Sequence, residues 1–127
     1  MIKLLLICLG GALGTGARYL VSGWVINLAG PSFPYSTLTV NLVGSFLIGV
    51  VNYLGINSDL FDPTLRIVLT VGVMGGFTTY SSFNYETLQY LQEGIWYLAI
   101  LNMLVMLFTC LISGALGFMT AKWLLGH

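Results

Sequence analysis

Charge is what this sequence has least of. Among 127 residues the only formally charged side chains are Lys3, Arg18, Asp59, Asp62, Arg66, Glu86, Glu93 and Lys122, and they cancel. A soluble domain carries about 25% charged residues; here the share is 6%, and 57% of residues are apolar. A water-facing surface cannot be built from so few polar groups, which excludes a soluble globular protein. The scarcity of Lys and Arg also leaves no electrostatic footprint for nucleic acid. Cysteine is nearly absent, and Cys8 and Cys110 both sit in apolar runs, where a small hydrophobe is the expected role rather than a disulfide or a metal pair. There is no Gly-Lys-Ser/Thr phosphate loop, so nucleotide does not drive any transport. No nucleophile–base pair or metal-ligand cluster is present, which argues against an enzyme.

Apolar sequence is what fills the chain. A membrane span needs about 20 predominantly apolar residues, and the pattern predicts four helices, at about 2–28, 36–54, 63–92 and 95–125, in one domain covering 1–127. The first ends before Gly30-Pro31 and Pro34, and the second in Gly55-Ile56-Asn57-Ser58-Asp59. Asp62-Pro63 opens the third as an acidic first turn with proline. The N-terminal run superficially resembles a signal peptide. Apolar sequence continues past Arg18 through Val25, Ile26 and Leu28, which predicts a retained span, and Ile7 is too large beside Cys8 for a lipid-attachment site. Four spans place both termini on one side with Lys3, Arg66 and Lys122, so the charge count leans towards cytoplasmic termini.

Two spans carry polar stripes. At 100° per residue, Thr37, Asn41, Ser45 and Asn52 fall within about 80°, and Asn102, Thr109, Ser113 and Thr120 within about 40°. Such groups are costly in lipid unless they meet partners or water. They serve either as glue between helices or as the lining of a path. In the first span, Gly10-x-x-x-Gly14 reads as close helix packing. Arg18 lies deep in that span, and an intramembrane ionisable group is a functional candidate or a structural counter-ion, with Glu86 and Glu93 its available partners.

The third span contains GGFTTYSSF, residues 75–83, which has no aliphatic side chain. Non-helical backbone at membrane depth survives only buried in protein or lining a water-filled cavity. Gly72, Gly75 and Gly76 followed by Thr78-Thr79 predict a helix broken at its centre, one half ending at about Met74 and the other starting at about Ser81. A break frees carbonyls, which suit a cation such as sodium, and amides, which suit an anion. Tyr80 and Phe83 share a helix face, either packing in a core or offering positive ring edges to an anion. With Ser81, Ser82 and Asn41 they would form a wall of donors without fixed charge, suited to a small anion that is stripped of water and then released.

With those residues in view, the chain resembles the Fluc-type fluoride channels, also called CrcB-like, over essentially its whole length. The resemblance rests on Gly10-Gly11-Ala12-Leu13-Gly14 with Ala17-Arg18-Tyr19, on Ser36-Thr37-Leu38-Thr39-Val40-Asn41 with Gly44-Ser45-Phe46, and on the 75–83 stretch itself. It implies an all-α protein of a bacterial plasma (inner) membrane, inserted in both senses as an antiparallel homodimer in lipid. It further implies two fluoride pores and a structural sodium ion at the centre. By position, sodium would take the backbone carbonyls of Gly75 and Thr78 from both subunits. The fluoride path would be lined by Asn41, Tyr80, Phe83, Thr37, Ser81 and Ser82, with Arg18 and Glu86 at the vestibules. Tyr80 stands where the family usually has Phe. On the fourth helix Cys110, Ser113 and Thr109 compete for a pore position, and the polar stripe favours Ser113.

Passive flow is the expected mechanism, because no carboxylate lies at mid-span to carry protons. Two other readings compete. A small dual-topology multidrug exporter also has four spans, but such proteins need an acidic residue in the first span, where this chain has only Arg18. A non-transporting assembly partner would use the stripes as glue alone.

Overall fold

In a computed structural model, which describes residues 1–126, the chain is almost wholly helical. Helix α1 covers Ile2–Ala29, α2 Tyr35–Asn57 and α3 Pro63–Ile67. A π-helical stretch, Val68–Met74, joins α3 to α4, Gly75–Phe77. Helix α5 covers Tyr80–Gln92 and α6 Trp96–Leu124. Among the described residues, α1, α2 and α6 are the helices long and apolar enough to cross a membrane. The protein is thus an all-helical membrane protein.

Local chemistry accounts for the ends. Gly30, at φ 79°, terminates α1 in a backbone region that suits glycine. Asp62 caps α3, its Oδ1 accepting from the Leu65 N–H at 2.7 Å, and Pro63 occupies the first helical position, where its missing N–H costs nothing. The helix beginning at α3 runs further than the glycines suggest. It reaches Phe77 rather than Met74, because Gly75 holds ordinary helical geometry at φ −61°, ψ −38° and Thr78 N and Oγ1 both donate to Met74 O. Thr78 and Thr79 are then extended, and α5 starts at Tyr80, one residue before the expected Ser81. Neither residue type nor spacing signals the π-helical turns.

Packing is by backbone approach more than by large side chains. Helix α1 lies against the 68–77 segment. A Cβ built on Gly14 would strike the Val73 carbonyl, and one on Gly76 would strike the Gly11 carbonyl. The expected role of Gly10-x-x-x-Gly14 as a close-approach face is what the geometry has. Helix α2 packs on α6 in the same way, with Gly49 over the Gly114 carbonyl and Gly117 over Phe46 O. The fully enclosed apolar core is small: Val40, Phe77, Ala99, Met106 and Ala121. Most large apolar side chains face outward, as expected where lipid or a second subunit replaces water.

Gly14→Ala should therefore destabilise the fold by about 1–3 kcal/mol, the usual cost of overpacking a tight contact. Gly16→Ala, where nothing lies within 4 Å of the new methyl, should be neutral. Unfolding in detergent, followed by intrinsic fluorescence, separates the two; equal loss in both variants would show that the α1 contact is not what matters.

Candidate functional site

The extended pair at Thr78-Thr79 interrupts the helical hydrogen-bond ladder, and α2 repairs it. The Asn41 side chain donates from Nδ2 to Thr79 O and accepts at Oδ1 from Thr79 N–H, both at 2.9 Å. One amide thus satisfies both polar groups of a residue that no helix can serve. Thr79 caps α5 in turn, its Oγ1 accepting from the Ser82 N–H at 3.2 Å and donating to Ser82 Oγ. Beside it, Gly44 leaves the room that the Thr78 methyl fills.

Around this clamp lies a cleft of about 590 Å³, lined by Asn41, Gly44, Ser45 and Ile48 of α2 and by the 78–80 turn with Phe83. Met103, Met106, Leu107 and Cys110 of α6 complete it. Among the described residues no charged side chain borders it. Tyr80 and Phe83 meet edge to face, with ring centroids 5.7 Å apart at 67°. Tyr80 is 76% exposed. Among the described residues the second Nδ2 hydrogen of Asn41 has only the Met106 sulfur, 3.4 Å away, as an acceptor. A thioether is a weak acceptor, so this N–H remains available at the cleft wall.

The remaining sequence candidates are placed elsewhere. Thr37 is buried and donates to Glu86 Oε2 at 2.6 Å, and Glu86 Oε1 is buried with no partner among the described residues. Glu86 lines a second pocket of about 390 Å³ with Gln89, Tyr90, Glu93 and the 30–34 loop. Arg18 is not there; its Nε donates to Gly76 O at 3.1 Å, so a backbone carbonyl meets the guanidinium where the sequence suggested Glu86 or Glu93. Ser81 is exposed, and Ser82 turns to Thr79. Ser113 lies off the cleft: its hydroxyl donates to Leu42 O at 2.7 Å and ties α6 to α2, while Thr109 bonds back to Val105 O. Cys110 takes the cleft position among the three competing residues. Asn102, the innermost polar group of α6, donates to Thr87 Oγ1 and joins α6 to α5.

Two contributors escaped the sequence reading. Thr79 acts through its backbone, which composition does not reveal, and Met106 reads as plain apolar filler. The carbonyls of Gly75 and Thr78 accept no hydrogen bond among the described residues, while the intervening Gly76 carbonyl takes Arg18. Two unpaired carbonyl oxygens at a break fit a hard monovalent cation.

Residues 5–118 match the family described as CrcB-like protein, Camphor Resistance (CrcB). Among curated relatives, a protein of Anaeromyxobacter sp. (strain K), named "Fluoride-specific ion channel FluC", is 48% identical over 99% of this chain and 100% of its own. A protein of Sorangium cellulosum (strain So ce56) with the same name is 47% identical over 92% of each chain. A third, from Geobacter metallireducens, is 47% identical over 98% of this chain and 100% of its own.

Asn41→Ala should leave the Thr79 N–H and C=O unpaired at once, at about 1–3 kcal/mol for each group. Ser113→Ala removes a single hydrogen bond and should cost about 1 kcal/mol. Chemical unfolding in detergent ranks them, and equal losses would mean that the Asn41 clamp carries no special weight.

Proposed function

The chain belongs to the CrcB-like family, and from that premise we propose how it conducts as a fluoride-specific ion channel in the bacterial inner membrane, which it spans several times. The observation that carries the reading is the cleft beside the Asn41–Thr79 clamp, which offers an amide N–H, hydroxyls and ring edges but no fixed charge. Fixed positive charge would hold a small anion too tightly to release it; donors and ring edges replace part of its water and let it leave. In an acidic medium fluoride enters cells as neutral HF and ionises in the less acidic interior. An interior-negative potential then supplies about 2.3 kcal/mol per 100 mV to expel each anion, so a passive path suffices. The relatives are named as ion channels, not enzymes, and none of the three carries the multidrug-exporter reading.

The finer architecture follows from lengths and unpaired groups. The helical stretch 63–77 and α5 are each shorter than the roughly 20 residues a crossing takes; end to end they make a third, interrupted span, giving four. The exposed Tyr80 and the open cleft call for a covering surface, and a second copy inserted in the opposite sense supplies it as an antiparallel homodimer with two pores. The few charges, balanced overall, set orientation only weakly, which lets both senses occur. The Gly75 and Thr78 carbonyls would hold the central sodium ion, which when bound supplies the positive charge their unpaired oxygens face. Thr37 and Glu86 would stand at one vestibule and Arg18 at the other, with its Nε held by the Gly76 carbonyl. Asn41, Tyr80 and Phe83 form its wall, with Ser81 and Ser82 at the start of α5 and Cys110, rather than Ser113, on α6.

Liposomes loaded with fluoride and containing the purified protein should lose it quickly to a fluoride electrode, while chloride-loaded liposomes do not leak. Phe83→Ile should slow efflux about tenfold, equivalent to ~1.4 kcal/mol on the barrier, and Tyr80→Phe should conduct. Silence from both the wild type and Tyr80→Phe in dimeric preparations would overturn the channel reading.

A further inference from the structure

Three sulfur-bearing side chains of α6 line the cleft together, Met103, Met106 and Cys110. Their spacing of three and then four residues puts them within about 60° of one another on the helix. Cys110 Sγ lies 3.7 Å from Met106 Sδ, and Met106 is 93% buried by its 7% exposure, so its sulfur is held in place. At metal–sulfur bonds of about 2.3 Å, an ion touching both sulfurs would subtend roughly 110°. That angle leaves room for a third ligand, and Met103 lines the same cleft.

We propose that Cys110, Met106 and Met103 form a binding site for a soft monovalent metal ion, silver(I) or copper(I), inside the cleft. Thiolate and thioether donors select soft ions over zinc-type or hard cations, and among the described residues no imidazole or carboxylate borders the cleft. Monovalence follows from charge balance. As the S–M bond forms, the Cys110 S–H proton leaves to solvent, and the resulting thiolate–metal(I) unit is neutral. A divalent ion would leave a net charge beside a lining with no charged side chain among the described residues. Cys8, the other cysteine, is exposed on α1 and borders neither pocket. That a bound ion also stops fluoride rests on the cleft being the fluoride path.

The test uses silver nitrate in chloride-free buffer on the full-length protein. Silver retained after desalting is measured by elemental analysis, and fluoride efflux from liposomes is measured in parallel. Cys8→Ser, which lacks the exposed second thiol, should retain one tightly held silver ion per chain, and the variants below carry it as background. Cys110→Ser should weaken binding by about tenfold or more, since loss of even an outer-shell partner costs a metal site 10–100-fold. Met106→Leu, which conserves volume, should also weaken it. Unchanged binding in both variants, or loss of the tight ion in Cys8→Ser alone, overturns the site. Silver should also arrest efflux in the wild type. Silver held through Cys110 with efflux untouched supports the site and overturns instead the assignment of this cleft as the fluoride path.

Discussion

A buried backbone must find hydrogen-bond partners, and at membrane depth water cannot provide them. The organisation around Thr78-Thr79 depends on that constraint. Two extended residues between α4 and α5 remove several rungs of the helical ladder, and Asn41 restores the essential two by pairing with both sides of Thr79. The same contact brings α2 to the interruption, and with it Gly44 and Ser45. It thereby creates a polar surface in a chain that otherwise presents hydrocarbon. A helix without the interruption would need no such partner and would leave no carbonyl free at Gly75 or Thr78.

Close packing makes this arrangement hold. Lipid tails are as apolar as leucine, so burying large side chains between helices gains little here; close backbone contact gains more. The glycines of α1 and of the 68–77 segment let the two backbones approach until a single methyl group would collide. Arg18 uses that approach, since its Nε reaches the Gly76 carbonyl only because α1 runs so close to α4. A charge in the first span is thereby neutralised in part by a peptide dipole. The cleft keeps clear of both acidic and basic side chains, which is what an anion path without a trap requires.

The two polar stripes divide their labour. On α2, Asn41 and Ser45 border the cleft while Thr37 reaches Glu86. On α6 the stripe is mainly glue: Asn102 binds Thr87, Ser113 binds Leu42, and Thr109 and Thr120 bond back to their own helix. The cleft face of α6 is offset from that stripe and made of sulfur, with Met103, Met106 and Cys110 in place of hydroxyls. Helical spacing alone showed which residues share a face. It could not show which neighbour that face meets.

Composition and periodicity were enough to establish a membrane protein of long helices, with turns at Gly30 and near Asp62. They also marked the unusual chemistry of residues 75–83; the family came from resemblance to known motifs, not from composition. These are properties of local sequence, because hydropathy, proline and glycine act within a few residues of where they stand. Tertiary structure decided the rest. The helix runs on to Phe77 because Met74 O finds Thr78 as a donor, and Asn41 serves the backbone as well as the cleft because α2 passes Thr79. Cys110 rather than Ser113 faces the cleft because α2 presents the Leu42 carbonyl to Ser113. Each outcome turns on a partner distant in the chain, and no residue's own identity encodes which distant atom will stand beside it.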